Sequence, residues 1–497
     1  MLTTRRQCFE ASVFAALCLL LPVTAQATER RVIGLAADGK TRIEALVKDG
    51  YTGLGGEVWI QGLEGEDGNS QGVIAEFEKS PAVMVVIPIA NPLKSTLKFP
   101  PSGLAYHDNT ESWVLWNWLT LHAPERVRIT IDARSSGSEM FRSLILSLPK
   151  QLHGSNGLVV SSLAATADIF GPAEAFKARL ARTPRQLADE LAQVYGHDFN
   201  QLTYLPGMAL IGQIRLGATA DVATLAKPYL TQGRDLLSRA SSLTLAGHLV
   251  FAELARRTGD KRYTDLVKKA ADLGFTPDGR MQESMPFHGE MSDSYFMAGP
   301  ITAMAGRLTG QRKYFDMVAR HFRFMDALVL RDDGLYRHSP LNNAAWGRAN
   351  AFPALGITLA LSEFPEDHPD RKYILDSYRA LMARLKPFQD ADGMWHEIID
   401  NPGSYQELSA TMMIATCMQR GIRRGWIDAK EYQPYVDRAW KATLIRVGSD
   451  GSLIDVAEST NKQPTYEDYL NRTAISGKDE RGGGMALFFA TEMAGLQ

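Results

Sequence analysis

The chain has 497 residues, a hydrophobic content of 45% and a formal net charge of −2. These values are typical of a globular protein with two or three domains. The charge balance excludes a nucleic-acid-binding protein with a basic patch, and the sequence has no acidic tail.

The first 27 residues have the pattern of a signal peptide. Arg5 and Arg6 provide a charged start, an apolar stretch follows at 11–21, and Ala25-Gln26-Ala27 fits the small-x-small cleavage rule. No later apolar run is long enough to span a membrane. We therefore expect an exported protein, periplasmic or secreted, with no membrane contact after cleavage.

Residues 28–183 are predicted to form an α/β domain. The continuous apolar run at 83–89 is typical of a buried strand, and 126–132 and 158–162 are further strand candidates. A helix is predicted at 111–122, between two of these strands. This alternation of strands and helices indicates a layered sheet.

Four short motifs in this domain follow one another in a recognisable order. They lie at 62–67, 87–92, 99–100 and 131–134. Together they resemble the zinc carboxypeptidase and deacylase family, which implies a mixed sheet flanked by helices. That family has metal-binding histidines where this chain has Glu64 and Arg134. Because a guanidinium places a fixed positive charge against the metal, we predict a degenerate relative that binds no catalytic zinc.

Residues 184–497 have the pattern of a helical repeat. Asp-Gly pairs recur every 55 to 59 residues, at 278–279, 333–334, 392–393 and 450–451. A repeat of this length, made of two helices and a loop, predicts stacked helical hairpins. The second helix of each pair is the more apolar, so we expect it inside. Six such pairs can close into an (α/α)6 toroid.

The six predicted pairs are 184–195 with 203–217, 219–236 with 242–258, 261–273 with 293–309, 311–330 with 346–363, 370–386 with 405–424, and 428–446 with 481–495.

The amino-terminal ends of the inner helices are expected to meet at one mouth of the toroid. The candidate site residues at those ends, and in the loops before them, are His288, Asp293, His338, Trp346, Arg348, Asn350, Trp395, His396 and Glu407. Helix amino termini favour an anionic ligand. Arg348 can form a two-pronged pair with a carboxylate, and Trp346 and Trp395 offer flat faces to a sugar ring.

Each candidate also has a structural interpretation. Asp293 is where a capping aspartate belongs, and Glu407 is where a first-turn acid belongs. The two histidines His288 and His338 could be surface loop residues, and Trp346 could be core. Their convergence at one mouth favours the functional interpretation.

Four segments of the helical part also carry a family resemblance. They are 292–298, 346–350, 392–396 and 403–411. They resemble the unsaturated uronyl hydrolases, glycoside hydrolase families 105 and 88, over roughly residues 190–495. The resemblance implies an (α/α)6 barrel, no metal or cofactor, an oligosaccharide substrate with a terminal uronic acid, and an aspartate at the position of Asp293.

The implied substrate is a lyase product with a C4=C5 double bond in its terminal uronic acid. Asp293 would protonate C4 and then take a proton from the water that adds at C5, so one carboxyl group serves both steps. One departure is notable. The family has a second aspartate at the start of the second inner helix, where this chain has no acid at 238–244 and only Asp235 nearby.

Two other hypotheses follow from that departure. One is a conventional uronidase with two carboxylates, Asp293 with Glu290 or Glu407. The other is a non-catalytic carbohydrate-binding protein.

Overall fold

The computed structural model describes residues 27–51, 53–65, 70–124, 126–129, 136–148, 158–160, 166–169, 174–231 and 235–496. The predicted signal peptide lies outside these residues, except for Ala27. Within the described ranges, no helix combines the length and the hydrophobicity that a bilayer span requires.

The amino-terminal region contains a seven-stranded sheet with the order β1-β2-β4-β3-β5-β7-β6. Its strands are β1 Thr28–Leu35, β2 Arg42–Lys48, β3 Glu57–Ile60, β4 Val83–Ile87, β5 Arg126–Ile129, β6 Leu158–Val160 and β7 Thr166–Ile169. Strand β3 pairs in parallel with β4 and β5, and the other pairs are antiparallel. The sheet is therefore mixed. Kinship with carboxypeptidases stays a prediction, since Arg134 lies outside the described residues.

Helices Ser70–Lys79, Thr110–His122 and Ser136–Ser147 accompany this sheet. Thr110–His122 is buried along nearly its whole length. Residues such as Leu115 and Leu119 pack with the sheet, while Asn117 contacts Asp455 of the helical region. This helix is apolar all round because it lies between the two regions of the molecule.

The helical region contains the six predicted pairs. The outer helices are Pro184–Ala192, Thr219–Ala226, Lys261–Asp272, Lys313–Val329, Arg371–Leu385 and Ala429–Arg446. The inner helices are Tyr204–Leu216, Ser242–Gly247 with Leu249–Thr258, Ser294–Thr309, Gly347–Glu363, Leu408–Arg423 and Glu480–Met493. Each inner helix packs against the next, and the last packs against the first, so the ring closes.

The second pair differs from the prediction. The outer helix ends earlier, in a 3-10 turn at Lys227–Leu230 that contains Pro228, a residue without an N–H. The inner helix is interrupted at His248. The His248 ring Nδ1 lies 2.8 Å from the Thr244 carbonyl oxygen, and its backbone N–H bonds Leu245 instead. A side chain has thus taken the carbonyl that would continue the α-helix.

The recurring Asp-Gly pairs form one repeated turn. Gly279, Gly334, Gly393 and Gly451 all have positive φ, between 81° and 91°. The N–H of each bonds the carbonyl three residues earlier at 2.8–3.2 Å. Glycine is preferred because a side chain is strained at positive φ. Each turn reverses the chain after an outer helix and leads into the loop before an inner helix.

The last pair carries an insertion that the sequence did not reveal. Between helices Ala429–Arg446 and Glu480–Met493 the chain forms the hairpin of β8 Leu453–Ala457 and β9 Ala474–Gly477, with the short helix Tyr466–Leu470 between its strands. This insertion contacts both the site and the amino-terminal region.

Candidate active site

Asp293 directly precedes the inner helix Ser294–Thr309 but does not cap it. Its backbone is helical (φ −52°, ψ −27°), and its side chain makes no capping hydrogen bond. The carboxylate is 16% exposed, and its Oδ2 lies 3.0 Å from Nε2 of buried His338. The two atoms lack the alignment of a standard hydrogen bond, so neither has a hydrogen-bond partner in the protein. Both atoms are buried and face each other.

Tyr469 fixes the tautomer of His338. The Tyr469 hydroxyl oxygen accepts the Gln463 N–H at 3.0 Å and lies 2.7 Å from His338 Nδ1. The hydroxyl proton of Tyr469 is not used in the bond from Gln463 and can be donated to Nδ1. In this arrangement His338 carries a proton on Nε2, facing Asp293.

Asn350 positions the loop that carries His338. Its Oδ1 accepts the Tyr336 N–H at 2.8 Å, and its Nδ2 donates to the carbonyl oxygens of Tyr336 and Trp346. Further along the loop, the His338 carbonyl accepts the N–H of Ser292, the residue before Asp293. Asn350 was predicted to bind substrate. In this structure both ends of its amide instead bond backbone groups that hold the loop in place.

Trp346 is also buried, and its indole N–H donates to Glu397 Oε1 at 2.7 Å. Its ring lies against His338, with 4.6 Å between the ring centroids. In this structure its faces are covered by protein. Its contacts link His338 to Glu397, an acid that the sequence analysis did not select.

Glu397 is completely buried, and its Oε2 has no hydrogen-bond partner. Burial, and then the nearby charge of Glu407, raise the pKa of Glu397 well above its usual value. Its surroundings therefore favour the neutral form of the carboxyl group. The only sequence signal was a lone acid inside the apolar segment Met394–Ile399.

Unlike Glu397, Glu407 is surrounded by hydrogen-bond donors. Its carboxylate accepts the N–H groups of Ser409 and Ala457, both at 2.9 Å, and also that of Ala410. It caps the inner helix Leu408–Arg423. Its oxygens are occupied by protein donors in this structure, and a substrate contact of Glu407 stays a prediction. Glu290, the other proposed second carboxylate, is exposed and lies 3.4 Å from Lys462.

Arg348 is 2% exposed and bridges to the inserted hairpin. Its Nη1 donates to the Ala457 carbonyl at 2.6 Å, and its Nη2 donates to the Glu458 carbonyl at 2.5 Å. Burial lowers the pKa of Arg348, but Glu407 and the other acidic neighbours together outweigh burial, and the net shift is upward. In this structure both prongs hold backbone rather than open space.

The remaining predicted residues lie away from Asp293 or inside the core. Trp395 is fully buried, and its N–H donates to the Leu385 carbonyl at 2.8 Å, so it offers no face to a sugar. His396 is buried beside Asp390, at 3.1 Å. His288 is half-buried at the rim, where its Nδ1 accepts the Glu290 N–H.

No acid stands at the start of the second inner helix among the described residues. Ser241 caps that helix, and Asp235 is exposed and bonds the Leu237 N–H. Asp293 instead has an electrostatic neighbour from the first inner helix, Tyr204. Burial raises the pKa of this tyrosine, and Arg481 opposes the shift. Tyr204 is thus a further polar group of the site.

The site is a carboxylate with a free oxygen, a histidine of fixed tautomer and a buried neutral acid, at one mouth of an (α/α)6 toroid. This is acid–base equipment of the kind that hydrolyses glycosidic bonds. The sequence profile of Glycosyl Hydrolase Family 88 matches residues 219–497, and the chain belongs to this family. It is a glycoside hydrolase.

Related proteins agree with this assignment. The unsaturated rhamnogalacturonyl hydrolase YesR of Bacillus subtilis is 31% identical over 260 residues, which are 48% of this chain and 73% of that protein. An unsaturated 3S-rhamnoglycuronyl hydrolase of Formosa agariphila is 24% identical over 179 residues, 32% of this chain and 48% of that protein.

Solved structures share the helical fold. A possible GH105 member from Salmonella enterica has a TM-score of 0.53 at 18% identity, covering 63% of this chain and 94% of its own. A family 105 glycoside hydrolase of C. acetobutylicum has the same TM-score at 17% identity, covering 63% and 99%. At these identities the likeness shows the fold alone, an all-α toroid.

Proposed function

We propose that this protein is exported and removes a Δ4,5-unsaturated uronic acid from oligosaccharides made by polysaccharide lyases. The observation that carries the proposal is the Asp293 carboxylate, which is free of a capping role and faces His338. The two named relatives act on unsaturated rhamnogalacturonyl and 3S-rhamnoglycuronyl substrates. This supports the same substrate class for this chain.

In the proposed reaction, Asp293 arrives protonated and gives its proton to C4, using the electron pair of the C4=C5 bond. The resulting cation at C5 is stabilised by the ring oxygen. Water then bonds to C5 and loses a proton to the Asp293 carboxylate, which restores the acid. The hemiketal opens, the hemiacetal left at C1 releases the second sugar, and the glycosidic bond is broken.

His338 assists the second half of this reaction. Its Nε2–H faces Oδ2 of Asp293 at 3.0 Å, so it stabilises the carboxylate after the first proton has left. The Asp293 side chain is 16% exposed, so its carboxylate then receives the proton of the incoming water. Tyr469 and Asn350 act as positioning residues, because they hold His338 and its loop.

A conventional uronidase is the second candidate, and Glu397 is the observation that favours it. Its raised pKa favours the protonated form that a general acid requires, whereas backbone N–H groups occupy the Glu407 carboxylate and exposed Glu290 lies beside Lys462. Membership in a glycoside hydrolase family speaks against a non-catalytic binding protein.

One experiment separates the two reactions. The protein is incubated in deuterated water with lyase-digested polyuronides, and the ultraviolet absorbance of the conjugated double bond is followed. Hydration bleaches the absorbance and places deuterium at C4. Saturated uronides are the matched control and should not react. Release of sugar from saturated uronides, without deuterium at C4, would establish the two-carboxylate reaction instead.

We also propose the division at residues 183 and 184, export of the chain and a zinc-free amino-terminal domain. Mass spectrometry of the exported protein should find a chain that begins at Thr28. Metal analysis of the purified protein should find no zinc. A tightly held zinc would show that Glu64 and Arg134 do not abolish the site.

A further inference from the structure

A cavity of about 440 Å³ lies between the amino-terminal region and the helical region. One wall comes from strand β1, Tyr51 and the helix Thr110–His122. The other wall comes from the loops 389–392 and 402–406. Asp293, His338 and Trp346 do not line it, so it is separate from the site described above. Its volume is within the range of small-molecule binding sites.

The charged groups of this cavity are paired with one another. Asp392 Oδ2 lies 3.6 Å from His122 Nε2, and Asp392 Oδ1 lies 3.8 Å from Arg31 Nη1. Gln406 Nε2 donates to both Asp390 and Asp392, and His396 lies 3.1 Å from Asp390. A charged ligand would have to disrupt these pairs, whereas hydroxyl groups can add to carboxylates already in place.

One tyrosine hydroxyl in the wall has no hydrogen-bond partner although it is buried. It belongs to Tyr51, close to Asp392. A buried polar group without a partner is unfavourable and calls for an explanation. The Tyr405 hydroxyl of the opposite wall is directed toward Glu397 instead, so Tyr51 is the group that a ligand in the cavity could satisfy.

Aromatic rings complete the lining. Tyr106 from the amino-terminal region stacks on Tyr405 from the helical region, with 4.8 Å between centroids. Trp118 stacks on His122 at 4.0 Å. Paired carboxylates, the free hydroxyl of Tyr51 and aromatic rings suit a compact ligand that combines hydroxyl groups with apolar C–H faces.

We propose that this cavity is a binding site for a neutral sugar unit, formed jointly by the two regions of the chain. It goes beyond the uronic-acid chemistry at Asp293 and does not depend on it. The amino-terminal region thereby gains a role in holding carbohydrate next to the hydrolase.

Titration calorimetry with neutral methyl glycosides tests the proposal, using methyl α-L-rhamnoside, methyl β-D-xyloside and methyl β-D-galactoside. Methyl β-D-glucuronide is the charged comparison. At least one neutral glycoside should bind, and more tightly than the glucuronide. Tyr51→Phe removes only the unpartnered hydroxyl, so it should weaken that binding about fivefold to tenfold. Its thermal stability should equal or exceed that of the parent.

Tyr378→Phe is the matched control, because the Tyr378 hydroxyl bonds the Cys417 carbonyl at 2.8 Å, away from the cavity. It should lower stability and leave glycoside binding unchanged. Asp293→Asn should also bind the glycoside normally, which separates this site from the hydrolytic one. The proposal is overturned if no neutral glycoside binds at millimolar concentration, if the glucuronide binds best, or if Tyr51→Phe binds like the parent.

Discussion

The two ends of the toroid differ in whether their buried polar groups have partners. At the carboxyl-terminal ends of the inner helices, buried Glu492 is surrounded by Arg215, Arg420 and Arg423. At the amino-terminal ends, Asp293 Oδ2 and His338 Nε2 have no hydrogen-bond partner. The first end is built for stability, and the second keeps groups available for a substrate.

The charges around Glu492 suit its position at the carboxyl-terminal ends of the inner helices. Arg420 Nε lies 3.0 Å from Glu492 Oε1, and Arg215 Nη1 lies 3.4 Å from Oε2. Burial raises the pKa of Glu492, but Arg420, Arg215 and Arg423 together outweigh burial and lower the pKa to about 2. Arginines at helix carboxyl termini also complement the helix dipole. No catalytic role is needed to explain this cluster.

Replacing Asp293, at the amino-terminal ends of the inner helices, should have the largest effect on the reaction rate. Asp293→Asn removes the transferable proton, and loss of a positioned general acid costs about a hundredfold to ten-thousandfold in rate. Absorbance loss from the unsaturated substrate measures it. Since the Asp293 side chain caps nothing, the melting temperature should stay close to that of the parent. A folded variant with the parent rate would remove Asp293 from the chemistry.

Breaking the paired end should instead cost stability. Glu492→Gln leaves three arginines without their carboxylate, and such a loss costs about 3–5 kcal/mol in the free energy of unfolding. Urea unfolding measures it, with Asp189→Asn as control. That exposed pair with Arg185 should be worth less than about 1 kcal/mol. The rate per folded molecule should not change, and a strong loss of rate would contradict the comparison.

The contacts of Glu492 with the three arginines also predict that the stability of the protein depends on pH. The pKa of Glu492 is lower in the folded chain, about 2, than its usual value of 4.5. Its contribution to stability is therefore fully present above about pH 4.5 and is lost as the pH falls toward 2. In Glu492→Gln this part of the acid sensitivity should be absent.

The helical architecture could be predicted because a local signal was repeated. Asp-Gly pairs at regular spacing mark turns that only a few residue types can form, and apolar helices alternate with charged ones. Helix ends at particular residues were less predictable. The break at His248 depends on one ring taking the Thr244 carbonyl, a choice that no periodicity reveals.

The sequence indicated which residues lie near the mouth of the toroid, but it did not indicate what each side chain contacts there. Asp293 and His338 were selected at the helix mouth, and the structure places them together. Glu407 was selected for the same reason, yet backbone N–H groups occupy it, including that of Ala457 from the inserted hairpin. Glu397 was missed because its surroundings come from contacts distant in the sequence. Long-range contacts decide which acid is free, and they leave no local pattern.

A third change tests the hairpin that joins the two regions. Asp455 is buried at φ 62°, and burial raises its pKa to about 6. The folded state therefore favours the protonated form of Asp455. The contribution of Asp455 to the free energy of unfolding is most favourable below about pH 4 and is lost as the pH rises through 6. Asp455→Asn keeps an oxygen for Tyr106 and Asn117 and tolerates positive φ.

Above pH 6 this variant should be more stable than the parent by roughly 1–3 kcal/mol. Denaturant unfolding at pH 4 and pH 8 measures the change, and the difference between the two pH values should shrink. Equal losses at both pH values would mean that the Asp455 charge is not the source of the cost.

The smallest effect should come from the hydroxyl that orients His338. In Tyr469→Phe the ring packing is kept, but the Gln463 N–H loses its acceptor and His338 Nδ1 loses its donor. The ring is then free to turn or to exchange tautomers, and one such hydrogen bond is worth about a tenfold change in rate. Because Tyr469 does not face the substrate in this arrangement, kcat should fall while KM stays near the parent value. Tyr466→Phe is the matched control: it lies in the same short helix, and its hydroxyl bonds Asn401 at 2.8 Å rather than His338. Equal kinetics in the two variants, or a change in KM alone, would show that the histidine keeps its orientation without Tyr469.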